Sequence, residues 1–174
     1  MLKHKLMLAL FLVLPSAASA HPAAVLRVLG GTEPITQRGT LIEAGVDQDG
    51  ALLETIARDR EAPRYLRMRA ASALGFFESS KGRAALTRVA ESVDDEEVQL
   101  QALATLAYVA GARALPVLER ILSADSPTLR AGAVRGLSRV GGSAAALLLE
   151  RRRAIEGDLR VRRELDRASP LRRE

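Results

Sequence analysis

Few side chains in this sequence are of the kinds that do chemistry, so their types and spacing bound its function early. His21 is one of two histidines in the chain. At a free N-terminus it would offer an amine and an imidazole together, the pairing that grips copper. Such a site draws on at least one further histidine, and none follows. The expected state of His21 is a solvated terminus. The run Asp94-Asp95-Glu96-Glu97 could attract a hard cation, but successive carboxylates diverge around a helix start. Their expected role is favourable negative charge at a helix N-terminus. Ser79, Ser80 and Thr87 are hydroxyls with no histidine to activate them and no Ser-x-x-Lys spacing. Gly111, Gly141 and Gly142 are not a phosphate loop, because no Lys-Ser/Thr follows them. Without cysteine there is no thiol nucleophile, Cys-ligated metal centre or disulfide framework. The side chains therefore predict no enzyme, no cofactor and no metal.

The remaining chemistry belongs to arginine, and an internal repeat positions it. Leu66-Arg67-Met68-Arg69-Ala70-Ala71-Ser72-Ala73-Leu74-Gly75 aligns with the ten residues from Val98 and with the ten from Leu129, at spacings of 32 and 31. Apolar residues recur at positions 1, 5, 6 and 9 of this unit, one face of a 3.6-residue helix. Position 5 is Ala70, Ala102 and Ala133, small enough to let a neighbouring helix close in. These A helices are predicted near 64–75, 96–109 and 127–139. A second set, the B helices, is predicted near 50–59, 82–91 and 113–123, with Leu53, Leu86 and Leu118 in register. Asp95 and Ser126 stand three residues before Val98 and Leu129 as N-caps, with Pro127 at a first helical position. Gly75, Gly111 and Gly141-Gly142 occupy expected left-handed C-caps between A and B helices.

The Ala70-Ala71-x-x-Leu74-Gly75 pattern, Ser126-Pro127-Thr128-Leu129-Arg130, and Pro116 near a B-helix start resemble the HEAT repeat family, in particular its short exported bacterial members. The resemblance runs from about Asp49 to about Arg153. It implies an all-α, right-handed solenoid of about four helix pairs with capping ends, and B helices along the concave side. The B-helix register places Arg88, Arg120 and Arg151 in one column beside Thr55, with Glu54, Thr87, Glu119 and Glu150 adjoining. On a concave B layer that column would be a protein-binding ridge, since a guanidinium captures carboxylates in bidentate fashion. A second column, Arg67, Gln99, Arg130 and Arg160, is expected to bond backbone and acids between repeats.

Residues 1–20 read as a secretory signal peptide. Lys3 and Lys5 precede the nine-residue apolar run from Leu6 to Leu14, and Ala18-Ser19-Ala20 is a small-x-small cleavage site. Cleavage after Ala20 and a periplasmic or secreted product follow as expectations, and no later stretch approaches transmembrane length. Residues 21–48 form an expected N-terminal cap segment with a helix at 37–44, residues 49–153 the repeats, and residues 154–174 a capping helix and basic tail. In that last helix Leu159 is aligned with Leu129. Residues 21–149 carry equal numbers of basic and acidic side chains, while residues 150–174 hold nine Arg against six acids. Localised charge of that size argues against nucleic acid and leaves the membrane surface a disfavoured partner of the tail. The expected function is an exported, non-catalytic scaffold or adaptor holding another envelope or secreted protein on its concave face. The competing expectation is an auxiliary lyase or enzyme subunit holding a small ligand there.

Overall fold

The computed structural model describes residues 21–168, and the leader assigned to residues 1–20 and the end of the basic tail lie outside them. No β-strand occurs among the described residues. The elements are α1 (Ala23–Gly30), α2 (Arg38–Glu43), α3 (Ala51–Arg58), α4 (Arg64–Ala73), α5 (Ser80–Ser92), α6 (Glu96–Ala110), α7 (Leu115–Ile121), α8 (Pro127–Val140), α9 (Gly142–Ile155) and α10 (Leu159–Ala168). The chain is an all-α solenoid. α4, α6, α8 and α10 stack as one layer of A helices, and α3, α5, α7 and α9 form the B layer.

The apolar periodicity becomes the core between these layers. Leu53, Ile56, Leu86, Val89 and Leu118 from the B layer meet Val98, Ala102, Leu103, Ala133 and Leu137 from the A layer, all buried. Each fully buried Leu, Ile or Val contributes about 1.5–3 kcal/mol. Ala70, Ala102 and Ala133 are equivalently buried at 0% exposure, so the position-5 alanines occupy matching interior sites in three successive A helices. Helix starts follow the cap residues. The Asp95 carboxylate accepts from the Glu97 and Val98 amides, and the Ser126 hydroxyl accepts from Leu129 N–H. A cap of this kind is worth about 1 kcal/mol.

Gly111 (φ 53°) and Gly141 (φ 68°) end α6 and α8 in backbone that disfavours a side chain. Gly75 does not behave as predicted: it lies inside a 3₁₀ turn, Leu74–Phe76, without positive φ. A Cβ there would lie 2.8 Å from Thr105 Cγ2 on α6, so close approach of neighbouring A helices requires that glycine. Residues Glu96–Ile121 also form a helical run long and apolar enough, by length and composition, to cross a membrane, against the expectation that no stretch after the leader approaches that length. The turn at Gly111 folds that run into α6 and α7.

Two further expectations change. His21 is not a solvated terminus, for its Nε2 lies 2.8 Å from Asp59 Oδ2 at the α3–α4 corner, with the imidazole largely covered. In α10 the register falls two residues later than expected. Val161 (0%) and Leu165 (1%) are buried, while Leu159 is 69% exposed. Asp158 caps this helix through the Arg160 and Val161 amides, as Asp95 caps α6. Val161 therefore stands at position 1 and Leu165 at position 5, where the preceding repeats carry alanine.

Position 2 ties the layers together. Buried Arg67 donates from Nε to Ala57 O and from Nη1 to Asp95 Oδ2 at 3.2 Å. Burial pushes the Asp95 carboxyl up, but Arg64 and the capped amides outweigh it and hold it below its ordinary value. Arg130 donates to Ala124 O and Asp125 O, and forks onto both oxygens of Glu156 at 3.1 Å. Glu156, 2% exposed, also accepts from Arg152 Nε at 2.7 Å and from the Asp158 amide. Burial alone would raise its carboxyl, yet Arg130, that amide and Arg152 together hold it down to about 2. Arg162, the true position-2 residue of α10, donates to Glu156 O. The middle joint has no such clamp, since Gln99 and Ser126 replace the arginine and the acid.

Candidate binding groove

The Arg88–Arg120–Arg151 column lies on the B layer, whose helices touch each other less than the A helices do. In a curved two-layer stack the more closely spaced helices form the inner side. The inner, concave layer is therefore made of A helices, contrary to the expectation that placed the column there. Arg88 forks onto both oxygens of Glu54 on the preceding B helix, at 2.8 and 2.7 Å, and this pairing leads burial in setting its pKa above the ordinary value. Arg120 also reaches the preceding B helix, where its Nε and Nη2 both donate to Glu91 Oε1. Arg151 is exposed, without an ion pair among the described residues. The structure brings these three into one column but not into one site.

The carboxylate run is similarly dispersed. Asp94 pairs with Arg60, Asp95 with Arg64 and Arg67, and Glu97 with Arg64 at 3.3 Å. Among the described residues no three His, Cys, Asp or Glu side chains gather as metal ligands would.

A continuous groove instead runs along the A helices. Two cavities, of about 810 and 550 Å³, share Ala104 and Arg139 as common walls. The first extends across α6, α8 and α10, and the second across α4, α6 and α8 to Ile35 of the N-terminal cap. Each A helix contributes the same face. Counting Leu66, Val98, Leu129 and Val161 as position 1, position 4 supplies Gln101, Gly132 and Glu164, and position 7 supplies Ser72, Ala104, Arg135 and Arg167. Position 11 supplies Phe76, Tyr108 and Arg139. Spacings of three, four and seven put these positions on one stripe of a helix.

Small residues keep the walls close. A Cβ on Gly132 would sit 2.3 Å from Leu100 Cδ2, so the glycine lets α8 lie directly on α6. Gln101 Nε2 reaches across to Ser72 Oγ at 3.3 Å. The charged residues lining the groove are Arg135, Arg139 and Arg167, with Glu164 in the first cavity and Glu78 in the second. Arg135 and Arg167 both lie against the single carboxylate of Glu164, at 3.4 and 3.1 Å. Arg139 has no carboxylate partner among the described residues, and its guanidinium lies 5.9 Å from the centroid of the Tyr108 ring. Tyr108 is 75% exposed. The sequence reading did not identify Tyr108, Arg135, Arg139 or Arg167. The position-7 and position-11 columns were the signal that could have found them, but neither repeats one residue type.

Comparison with known proteins agrees with this architecture. The HEAT repeats family matches residues 85–168. The structure of human deoxyhypusine hydroxylase in complex with glycerol is similar, with a TM-score of 0.62 and 20% identity over 82% of this chain and 50% of that one. At that identity the likeness is one of fold, and this chain spans about half the length of that protein. No curated protein matches the sequence. The comparison corrects the expectation that the chain is not an enzyme: the same solenoid architecture belongs to a hydroxylase, so it gives no ground for excluding catalysis. HEAT repeats commonly bind other proteins.

Proposed function

We propose that this chain, which resembles the HEAT-repeat family over residues 85–168, is an exported protein-binding scaffold or adaptor whose capturing face is the groove of its A helices. The observation that carries this reading is the continuity of the groove, with Ala104 and Arg139 lining both of its cavities. A preformed groove of packed helices binds with little ordering cost. Export rests on the leader-like residues 1–20, and a partner in the envelope or outside the cell follows from it. A photo-crosslinking residue at Ala104 should trap that partner, while one at Glu119 on the outer layer should not. Capture from Glu119 alone would overturn the assignment. Fused to an export reporter, residues 1–25 should be cut after Ala20, and a mature product retaining Met1 would remove the exported part of the reading.

The cavity of about 810 Å³ also supports a second reading, a subunit of an enzyme that holds a small ligand in this groove. Replacing Ala104 by Trp would fill both cavities. Loss of a small-molecule thermal shift in that variant, with protein capture intact, would favour the second reading over the first.

A further inference from the structure

We propose that the groove recognises an acidic, partly apolar peptide segment, with Arg139 receiving a carboxylate and the neighbouring aromatics receiving an apolar side chain. This rests on the groove being the binding face, and it specifies the chemistry of what binds there. Three observations carry it. The first is Arg139 itself. Its guanidinium, held beside the exposed Tyr108 ring, makes no ion pair among the described residues, although Glu78 lines the same cavity. The Arg88 and Arg120 guanidiniums of the outer layer each grip a glutamate. A planar fork without a carboxylate, pre-positioned on a ring, is suited to bidentate capture of one from outside.

The second is the charge around it. Arg135 and Arg167 share Glu164, which leaves that end of the groove with a surplus of positive charge. At the opposite end Arg69 lines a smaller recess of about 200 Å³, continuous with the groove through Ser72 and Phe76. Its Nη2 donates to Glu33 O, but its buried Nε has no hydrogen-bond partner.

The third is the arrangement. The guanidiniums are spread over α4, α8 and α10, and the aromatic rings of Phe76 and Tyr108 line the cavity that joins the Arg69 recess to Arg139. Separated positive groups with aromatic surface between them match a chain whose carboxylates alternate with apolar side chains. A single phosphate would need the guanidiniums gathered at one point.

The test is selection of a fully random displayed peptide library on the purified protein, followed by anisotropy titration of the enriched peptide. The enriched sequences should carry Asp or Glu separated by apolar residues, and binding should weaken as salt rises. Arg139→Glu and Tyr108→Ala should each weaken binding about tenfold or more, while Arg120→Glu on the outer layer should leave it unchanged. Unaltered melting curves for all three variants would exclude misfolding as the cause. A basic or uncharged consensus, no enrichment, or wild-type affinity in Arg139→Glu would overturn the inference. The crosslink from Ala104 decides separately whether the groove is the binding face at all, so a trapped partner indifferent to Arg139→Glu would defeat the chemistry and keep the groove.

Discussion

Arg130 and Arg88 are each forked onto both oxygens of a glutamate, yet they sit in regions where that pairing has very different weight. Arg130 meets Glu156 where both side chains are nearly covered, between α8 and the α9–α10 corner. Arg88 meets Glu54 on the outer layer with half of its own side chain in water. A covered pair that loses one member leaves an uncompensated charge in a poorly solvated place, whereas a wet pair loses an interaction that water largely replaces. Periodic arginines in this fold are therefore of two kinds. The position-2 residues Arg67 and Arg130 join helices through the interior, and Arg88 and Arg120 of the B-helix column stitch neighbours along the surface.

Removing the covered acid should give the largest effect. Glu156→Ala leaves Arg130 and Arg152 facing each other, and urea unfolding should show a loss of about 3–5 kcal/mol. A change below that of Arg88→Ala would erase the distinction between the two regions. Acid sharpens the same contrast. The Glu156 carboxyl lies near 4.5 when unfolded and about 2 when folded. Its stabilisation is complete above about 4.5 and is lost as pH falls from there through about 2. Over that window stability should fall more steeply in the wild type than in Glu156→Gln, as read from melting temperatures at stepped pH.

The next effect concerns the inner layer alone. Ala102→Leu forces extra methyl groups between α6 and its neighbours and should destabilise by about 1–3 kcal/mol. The same substitution at exposed Ala146 on α9 should be nearly silent. Smallest of all, Arg88→Ala and Arg120→Ala should each cost about 0–1 kcal/mol by urea titration. A loss of several kcal/mol from either would mean that the outer stitching bears load comparable to the interior clamps.

The repeats were legible in the sequence because packing imposes small residues at fixed intervals. Ala70, Ala102 and Ala133 mark equivalent interior sites of successive A helices, and Asp95 and Ser126 mark two of their starts. The interior role of Arg67 and Arg130 was legible from their column. The inner side of the curve was harder to read, because curvature depends on which layer packs more tightly. The clue lay in residues such as Gly75, Ala104 and Gly132, which line the groove on the A helices, where a solvated helix would carry larger polar groups. The end of the array was misread because Leu159 and Val161 both fit an apolar periodicity. Only Asp158, three residues before Val161 like the other caps, separates the two registers. Tyr108 and Arg139 escaped notice because each occurs once, and their proximity across adjacent helices exists only after folding.

Leu165 occupies position 5 of α10, where the internal A helices carry alanine, and at 1% exposure it is packed into the existing array and not left at its open end. A leucine in that seat needs more room than Ala70, Ala102 and Ala133 take up, so exchanging α10 for an internal A helix, or the reverse, would require the joint with α8 to be refitted. The last joint of the array is thus specific to its own helix, whereas the internal joints share one small residue and are closer to interchangeable.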